Sequence, residues 1–318
     1  MEAVRKELRE KIDLSRSRVE NRPRKLFFCG GRVSDVSHPT CISVRDCVIR
    51  YLYDSGSDLA DGIVLAEEIQ EWLHHAHYDD LVTFERHLAH LACTIVLFVE
   101  SPGSIAELGA FSQVPQISDK LLVFMRNDQY EQDSFIHLGP LRLLEKKYEE
   151  TRVSVYPWVE HAKIENNTCS SVIDHESLNS LVEDISTDIQ EFFEHKHRSA
   201  IFNHDDEGHV MLLMVDLMDL FLALKKHEVL EILGDLEIPV DEADLSQYLF
   251  LLETLGFIGS KKYSGSTYYY SVSDTKFVEY GVREGQRKID RVRVKASLSD
   301  YYADSDKKRS RALKAIRS

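Results

Sequence analysis

The sequence predicts an α/β protein: a parallel sheet flanked by helices, then a smaller domain of helices and a β-hairpin. Three observations carry this. Short apolar runs alternate with helical patterns through the first two hundred residues, glycines and carboxylates follow the ends of those runs, and the pattern turns helical after His204-Asp-Asp-Glu-Gly208. The length of 318 residues suits two domains, and 43% hydrophobic with 29% charged residues is an ordinary globular composition. A disordered chain, a collagen-like fibre and a disulfide scaffold are excluded.

Residues 1–20 carry Val4, Leu8, Ile12 and Val19 at near-helical spacing, so a helix is expected up to the break at Pro23. Lys25-Leu-Phe-Phe-Cys29 reads as a buried strand that stops at Gly30-Gly31. Ser43–Tyr53 is helical in pattern. Gly62-Ile-Val-Leu-Ala66 is a second strand, followed by Glu67, Glu68 and Glu71. A helix is expected over 84–92, and Thr94-Ile-Val-Leu-Phe-Val99 is the strongest strand of the chain. It ends at Glu100-Ser-Pro-Gly-Ser104, after which residues 105–114 begin a helix. Lys120–Met125 and Val153–Tyr156 are further strands, and a helix is expected from about Ser177 to Lys196.

The resulting division is an N-terminal helix (1–22), a sheet domain (23–200), a second domain (205–286) and a basic tail (287–318). In the second domain, helices over 210–226, 229–233 and 245–255 precede two short strands within 256–272. That is a winged-helix arrangement, the alternative being a small helical oligomerisation module. Lys261 and Lys262, with Tyr263, Tyr268 and Tyr270, are nucleic-acid candidates on the hairpin. The preceding helix is rich in Asp and Glu and poorly suited to reading bases.

Formal net charge is −15, against a protein that coats nucleic acid with its whole surface. From Arg287 onward eleven Lys and Arg face four Asp, a local +7, so the first 286 residues carry −22. Such a tail suits a polyanion, through Lys307, Lys308, Arg309 and Arg311, or is a solvated and partly disordered end. No apolar run is long enough to span a membrane, and the charged MEAVRKELREKI start is not a signal peptide. The five cysteines form no CxxC pair. Reduced thiols in a cytoplasmic protein are expected, without zinc or any other metal and without a cofactor. The His74-His75-x-His77 run reads as a solvated helix end.

In open α/β sheets, ligands bind beyond the carboxyl ends of the strands, where Gly30, Gly31, Glu67 and the 100–107 segment all fall. Ser104 with Glu107 has capping-box spacing, which explains both residues without chemistry. Alternatively, the turn exposes both side chains and a helix N-terminus to the cleft, where amides bind oxygens and a nearby carboxylate suits a nucleophile.

The segment Glu100-Ser-Pro-Gly-Ser-x-x-Glu-Leu-Gly-Ala-Phe111, with the upstream Phe-Phe-Cys-Gly-Gly, resembles the nucleoside deoxyribosyltransferase family. More closely, the chain resembles effector proteins of bacterial retron defence systems. In those proteins a deoxyribosyltransferase-like domain precedes a winged-helix DNA-binding domain. The matching stretches run from Leu26 to about Leu144, including Ser134-Phe-Ile-His-Leu-Gly-Pro-Leu-Arg-Leu-Leu144.

The resemblance implies N-glycosidic cleavage with Glu107 attacking or stabilising C1′. Ser104 would hold a ribose hydroxyl or phosphate, and Gly30-Gly31 would admit the substrate close to the backbone. Glu67 would bind ribose hydroxyls or be a solvated helix start. Glu100 would orient the sugar or Glu107, or be a loop residue. Arg142 is a candidate phosphate contact and His137 a candidate acid for the leaving base. Leu91-Ala-Cys93-Thr94 and Glu100-Ser101-Pro102 depart from the transferase pattern and favour hydrolysis over base exchange. NAD is the implied substrate, with nucleosides or (deoxy)nucleotides, or a non-catalytic nucleotide sensor on DNA, as the other readings. A reverse transcriptase with its branched RNA–DNA product (msDNA) is the implied restraining partner. Homo-oligomerisation, with a contact from the N-terminal helix, is also implied.

Overall fold

The computed structural model describes every residue except 36, 70–76, 149–151, 166–167, 197–198 and 318. It divides into two compact units, one of residues 23–70 and 88–197, the other of residues 1–22, 71–87 and 198–318. Helix α1 (Glu2–Lys11) and strand β1 (Ile12–Val19) open the chain and belong to the second.

The first unit is built on a five-stranded sheet of β2 (Leu26–Cys29), β3 (Ile63–Val64), β4 (Thr94–Phe98), β5 (Leu121–Arg126) and β6 (Val153–Tyr156). Its order is β3-β2-β4-β5-β6 and every neighbouring pair is parallel. Counted from its own first strand this is 2-1-3-4-5, and the order reverses between β2 and β4. Its helices are α2 (Val44–Asp54), α4 (Pro102–Gln113), α5 (Pro115–Ser118), α6 (Asn127–Tyr130), α7 (Arg142–Lys147), α8 (His175–Asn179) and α9 (Val182–Lys196), while α3 (Leu81–Leu91) gives its residues up to His87 to the second unit and the rest to the first.

Side-chain alternation along the strands decides which helices cover which face. Leu26, Phe28, Val96, Phe98, Leu122 and Phe124 pack with Val44, Val48 and Leu52 of α2 and with Ile185, Ile189 and Phe193 of α9. Phe27, one residue out of phase, meets Phe111 of α4 edge-on at 6.2 Å. Each such ring or aliphatic side chain contributes roughly 1.5–3 kcal/mol by leaving water. Strands β7 (Glu160–Glu165) and β8 (Thr168–Ile173) form an antiparallel hairpin that the sequence reading misses, because the strands lack a strong apolar alternation.

In the second unit β1 pairs antiparallel with β12 (Val278–Val282) and β9 (Ala200–Ile201). The expected helix over 1–20 therefore stops at Lys11. The strand that captures residues 12–19 lies more than 250 positions away, so no local period reveals it. Helix α1 buries Val4 and Leu8, and Arg5 pairs with Asp235 at 2.8 Å and with Glu231. Val4 and Leu8 of its apolar face are thus used within the chain.

Helices α10 (Glu207–Leu220), α11 (Lys226–Asp235) and α12 (Glu242–Thr254) lead to a hairpin of β10 (Ile258–Tyr263) and β11 (Ser266–Ser271). Its turn holds Ser264 and Gly265 at φ 49° and 79°, the left-handed pair that a two-residue hairpin loop requires. Leu224 bridges Tyr269 beside it. The basic C-terminal segment is ordered as α13 (Arg291–Asp304) and α14 (Lys307–Arg317), with Leu298, Tyr302 and Ala312 buried.

The reduced-thiol expectation fails for one pair. Cys41 and Cys47 are joined by a disulfide, with their Cα atoms 5.2 Å apart. Helix α2 starts just after Cys41 and returns Cys47 to its side within its first turns. Cys29 and Cys93 are buried thiols, and burial pushes the Cys93 thiol up to about 11. Among the described residues no helix is long and apolar enough to cross a membrane.

Candidate active site

In an open parallel sheet ligands bind beyond the carboxyl ends of the strands where the order reverses, here between β2 and β4. Three segments converge at this edge: Gly30-Gly31 after β2, Glu67 after β3, and Glu100 to Glu107 after β4. Helix α2 also starts here, with Ser43 as N-cap, its Oγ accepting from Asp46 N.

Glu100 is the centre of this joint. Its carboxylate accepts from Gly31 N at 3.0 Å, Val44 N at 2.8 Å and Arg45 N at 3.1 Å. It therefore fills the anion position at the N-terminus of α2. Burial raises its pKa, the three amides pull it down, and Glu160 adds to the rise. The glycines serve this joint. A Cβ at Gly31 would lie 2.7 Å from the Glu100 carboxyl and from Ser43 Cβ; one at Gly30, whose φ is +142°, would lie 2.8 Å from Phe98 O. They admit a carboxylate and a neighbouring strand of the same chain, where the sequence reading has them admitting substrate.

Of the two readings of the Ser104–Glu107 spacing, the capping box is not the one formed: the box lies one turn earlier. Ser101 is the N-cap of α4, its Oγ accepting from Ser104 N, and Ser104 reciprocates. Ser104 is 1% exposed, and its Oγ accepts from Glu100 N and Ser101 N and donates to Ser101 O. Its hydrogen-bonding capacity is used up within the turn and not offered to a ligand.

Glu107 is thereby released from any capping duty. One of its carboxylate oxygens is buried without a hydrogen-bond partner among the described residues. Burial pushes its pKa up to about 7, with Arg45 pulling down and Glu67 pushing up. A half-buried carboxyl with one buried, unsatisfied oxygen and a pKa near neutrality is a candidate functional group.

Arg45 is the residue that sequence reasoning misses. Only 4% exposed, it donates through Nη1 to Gly31 O at 3.1 Å and holds both oxygens of Glu67, at 2.8 and 3.0 Å. Glu67 itself is half-exposed, its charge held at the edge of the cluster by this two-pronged contact. The only signal in the sequence is an arginine in the first turn of a helix after a glycine turn, which is too common to single out.

His137 lies in a π-helical turn, His137–Leu141, that packs against α4. Its ring stacks on Tyr130 at 4.5 Å, and its Nδ1 is buried without a partner among the described residues. Arg142 follows on α7 and is exposed. Of the expected histidine run, His74 and His75 lie outside the described residues, as does Glu71, while His77 stacks on Phe250 at 4.6 Å.

The expected polyanion-binding residues fall in the second unit. Lys262, Lys307, Lys308 and Arg311 are exposed and Lys261 is half-buried. Helix α14 packs against β10, so these residues occupy neighbouring elements. Arg309 departs from the set. At 1% exposure it is paired with Glu228 and Asp306, donates to Ala223 O at 3.0 Å, and lies over the Tyr302 ring. It turns inward because residue 309 shares the buried side of α14 with Ala312. It is a core ion-pair residue, unavailable to a phosphate.

Two curated relatives are from Escherichia coli. The "Retron Ec86 putative ribosyltransferase/DNA-binding protein" is 44% identical over 66 residues, 21% of this chain and 22% of that protein. The "Retron Ec73 putative ribosyltransferase/DNA-binding protein" is 32% identical over 73 residues, 23% of each. The alignments thus span less than a quarter of either relative. A family model described as STM3845 retron effector protein matches residues 41–260, more than two thirds of the chain. The chain belongs to the STM3845 retron effector protein family.

Proposed function

We propose that this protein is the toxic effector of a retron antiphage system and hydrolyses an N-glycosidic bond of a nucleotide, NAD first among them. The reading rests on Glu107, a half-buried carboxyl with one buried, unsatisfied oxygen at the switch point of the sheet. The ribosyltransferase in the relatives' printed names supports it. On this reading residues 23–200 form a nucleoside deoxyribosyltransferase-like domain and residues 205–286 a winged helix.

Glycosyl cleavage develops positive charge at C1′, and a carboxylate fixed beneath that carbon stabilises it. Water bonds to C1′ as the C1′–N bond breaks, the electron pair stays on the base nitrogen, and the water's extra proton passes to solvent. From NAD the base departs as neutral nicotinamide without prior protonation. A cationic pyridinium also stabilises the ionised form of Glu107, which the protein alone holds near half protonation at neutral pH. Arg45 fixes Glu67 at the ribose edge and tempers the charge on Glu107. The residual role for Glu100, Ser104, Gly30 and Gly31 is to hold the α2 and α4 N-termini in place. Arg142 and His137, near α4, remain the phosphate and leaving-base candidates, the second serving only substrates whose base needs a proton.

The test is base release from NAD, ATP, nucleosides and deoxynucleotides by the purified chain, beside Glu107→Gln. Nicotinamide from the wild type alone is expected. Adenine or another base from a nucleotide would keep the mechanism and replace the substrate with the second reading, a nucleoside or (deoxy)nucleotide N-glycosidase. Equal antiphage toxicity of both proteins in cells would overturn the enzyme in favour of a nucleotide-sensing regulator.

The pH dependence follows from the Glu107 pKa of about 7. The ionised form is required, so kcat/KM should rise about tenfold per pH unit below 7 and level off above it. With NAD, the kcat limb should lie at lower pH than the kcat/KM limb, because the bound cation favours the carboxylate. A profile flat from pH 5 to 8 would remove Glu107 from this role.

The partner proposed for the second unit is the retron reverse transcriptase with its msDNA, approached through Lys262, Lys307, Lys308 and Arg311. Neutralising Lys307, Lys308 and Arg311 together should weaken polyanion binding. It should also flatten the salt dependence by roughly one unit of log–log slope for each phosphate no longer neutralised. An unchanged slope in a binding titration against salt would contradict this surface.

A further inference from the structure

The Cys41–Cys47 pair lies beside a third metal-ligating side chain. His175, the first residue of α8, places Nδ1 3.5 Å from Cys41 Sγ. The three ligand atoms all lie within 4.8 Å of one another. Cys47 is buried, whereas Cys41 and His175 are half-buried, so an ion has a way in.

We infer that Cys41, Cys47 and His175 form a zinc(II) site when the pair is reduced, with the Cys41–Cys47 disulfide as its oxidised alternative. Two thiolates and an imidazole are a common zinc ligand set, leaving a fourth position for water. Zn–S near 2.3 Å and Zn–N near 2.0–2.1 Å at tetrahedral angles place sulfur and nitrogen about 3.6 Å apart. The Cys41–His175 separation already has that value. The two sulfurs would stand about 3.8 Å apart around the same ion, which rotation about the Cα–Cβ bonds allows at a Cα separation of 5.2 Å.

Reduction consumes two electrons from a small-molecule thiol reductant: two such thiols become one disulfide, and Cys41 and Cys47 each gain a proton. Zinc then displaces those two protons as the thiolates coordinate. The disulfide has no thiolate to offer, so the oxidised protein has no site.

The site's position ties it to the catalytic cluster without drawing on it. Cys47 sits two residues after Arg45 on α2. Cys41 ends the 32–41 loop that Asp46 and Arg50 hold: Asp46 accepts from Ser34 Oγ and Ile42 N, and Arg50 donates to Asp35 O and His38 O. An ion here would join that loop and the start of α8 to the helix whose first amides receive Glu100.

The test uses the full chain, reduced with excess small-molecule thiol, freed of reductant without oxygen, and titrated with cobalt(II) and then zinc. One cobalt per chain is expected to bind with release of two protons and a thiolate-to-cobalt charge-transfer band, and one zinc should then displace it with no further proton release. The band reads sulfur ligation alone, so the His74, His75 and His77 run does not produce it. Cys47→Ser should lose most of the band. Cys41→Ser, at a half-buried position that tolerates the change, should do the same. His175→Gln should weaken zinc binding more than tenfold with the fold intact by circular dichroism, and oxidised wild type should show no band. A reduced wild type without the band, or a folded Cys41→Ser protein with the full band, overturns the site whatever the glycosidase assay shows.

Discussion

Glu107→Gln is expected to lower base release by about 10²–10³-fold or more, the loss seen when one preorganised transition-state group is removed. The substitution keeps the shape of the side chain and removes only its capacity to ionise. It should also leave the protein more stable at pH 8. A carboxyl whose folded pKa lies above its unfolded value costs stability once pH passes the unfolded value, and the cost saturates above the folded one. For Glu107 that window runs from the ordinary glutamate value of 4.5 to about 7. The cost above it is on the order of 3 kcal/mol. Gln carries none of this cost, so the variant's melting temperature should match the wild type at pH 4 and exceed it at pH 8. An inactive variant that melts earlier at pH 8 would instead assign Glu107 a structural role.

Arg309→Met should destabilise the second unit by about 3–5 kcal/mol, the cost of leaving a buried charge without its partner. Glu228 loses its counter-ion, and Ala223 O and the Tyr302 hydroxyl lose a donor. Thermal melting should fall on the order of 10 °C. Replacing exposed Lys307, Lys308 and Arg311 by Gln should move stability by no more than about 0.5 kcal/mol each. The two variants separate residues that read alike in sequence: one basic side chain builds the unit and the others are free to face a polyanion. A melting temperature unchanged by Arg309→Met would mean that the guanidinium does not hold Glu228 in the core.

Much of the catalytic candidate was legible because its determinants are local. The apolar run at 94–98, the Ser101-Pro102-Gly103 turn and the helix after it are adjacent in the chain, and the sheet rule alone puts their junction at a ligand edge. The hairpin at 258–271 was legible for the same reason, since a glycine turn between β-prone runs is a local signal. The capping register was harder. Ser101 and Ser104 both suit an N-cap, and Pro102 at the first helical position decides for Ser101.

The sequence by itself determined the five strands of the parallel sheet, the helices and hairpin that follow His204, and the identity of Glu107 as the residue to test. Only the tertiary structure decided what surrounds it. Arg45 stands 62 positions before Glu107, and parallel pairing of β2 with β4 is what brings α2's first turn to the same edge. The same is true of β1, which becomes a strand because β12 lies across from it, and of Arg309, which becomes a core residue because Glu228 is buried at its side. Chemistry that depends on a single side chain in a local turn can be read along the chain. A pKa, an ion pair or a metal site depends on groups that only the fold makes neighbours, because burial and Coulomb interaction act over distance in space and take no account of separation in sequence.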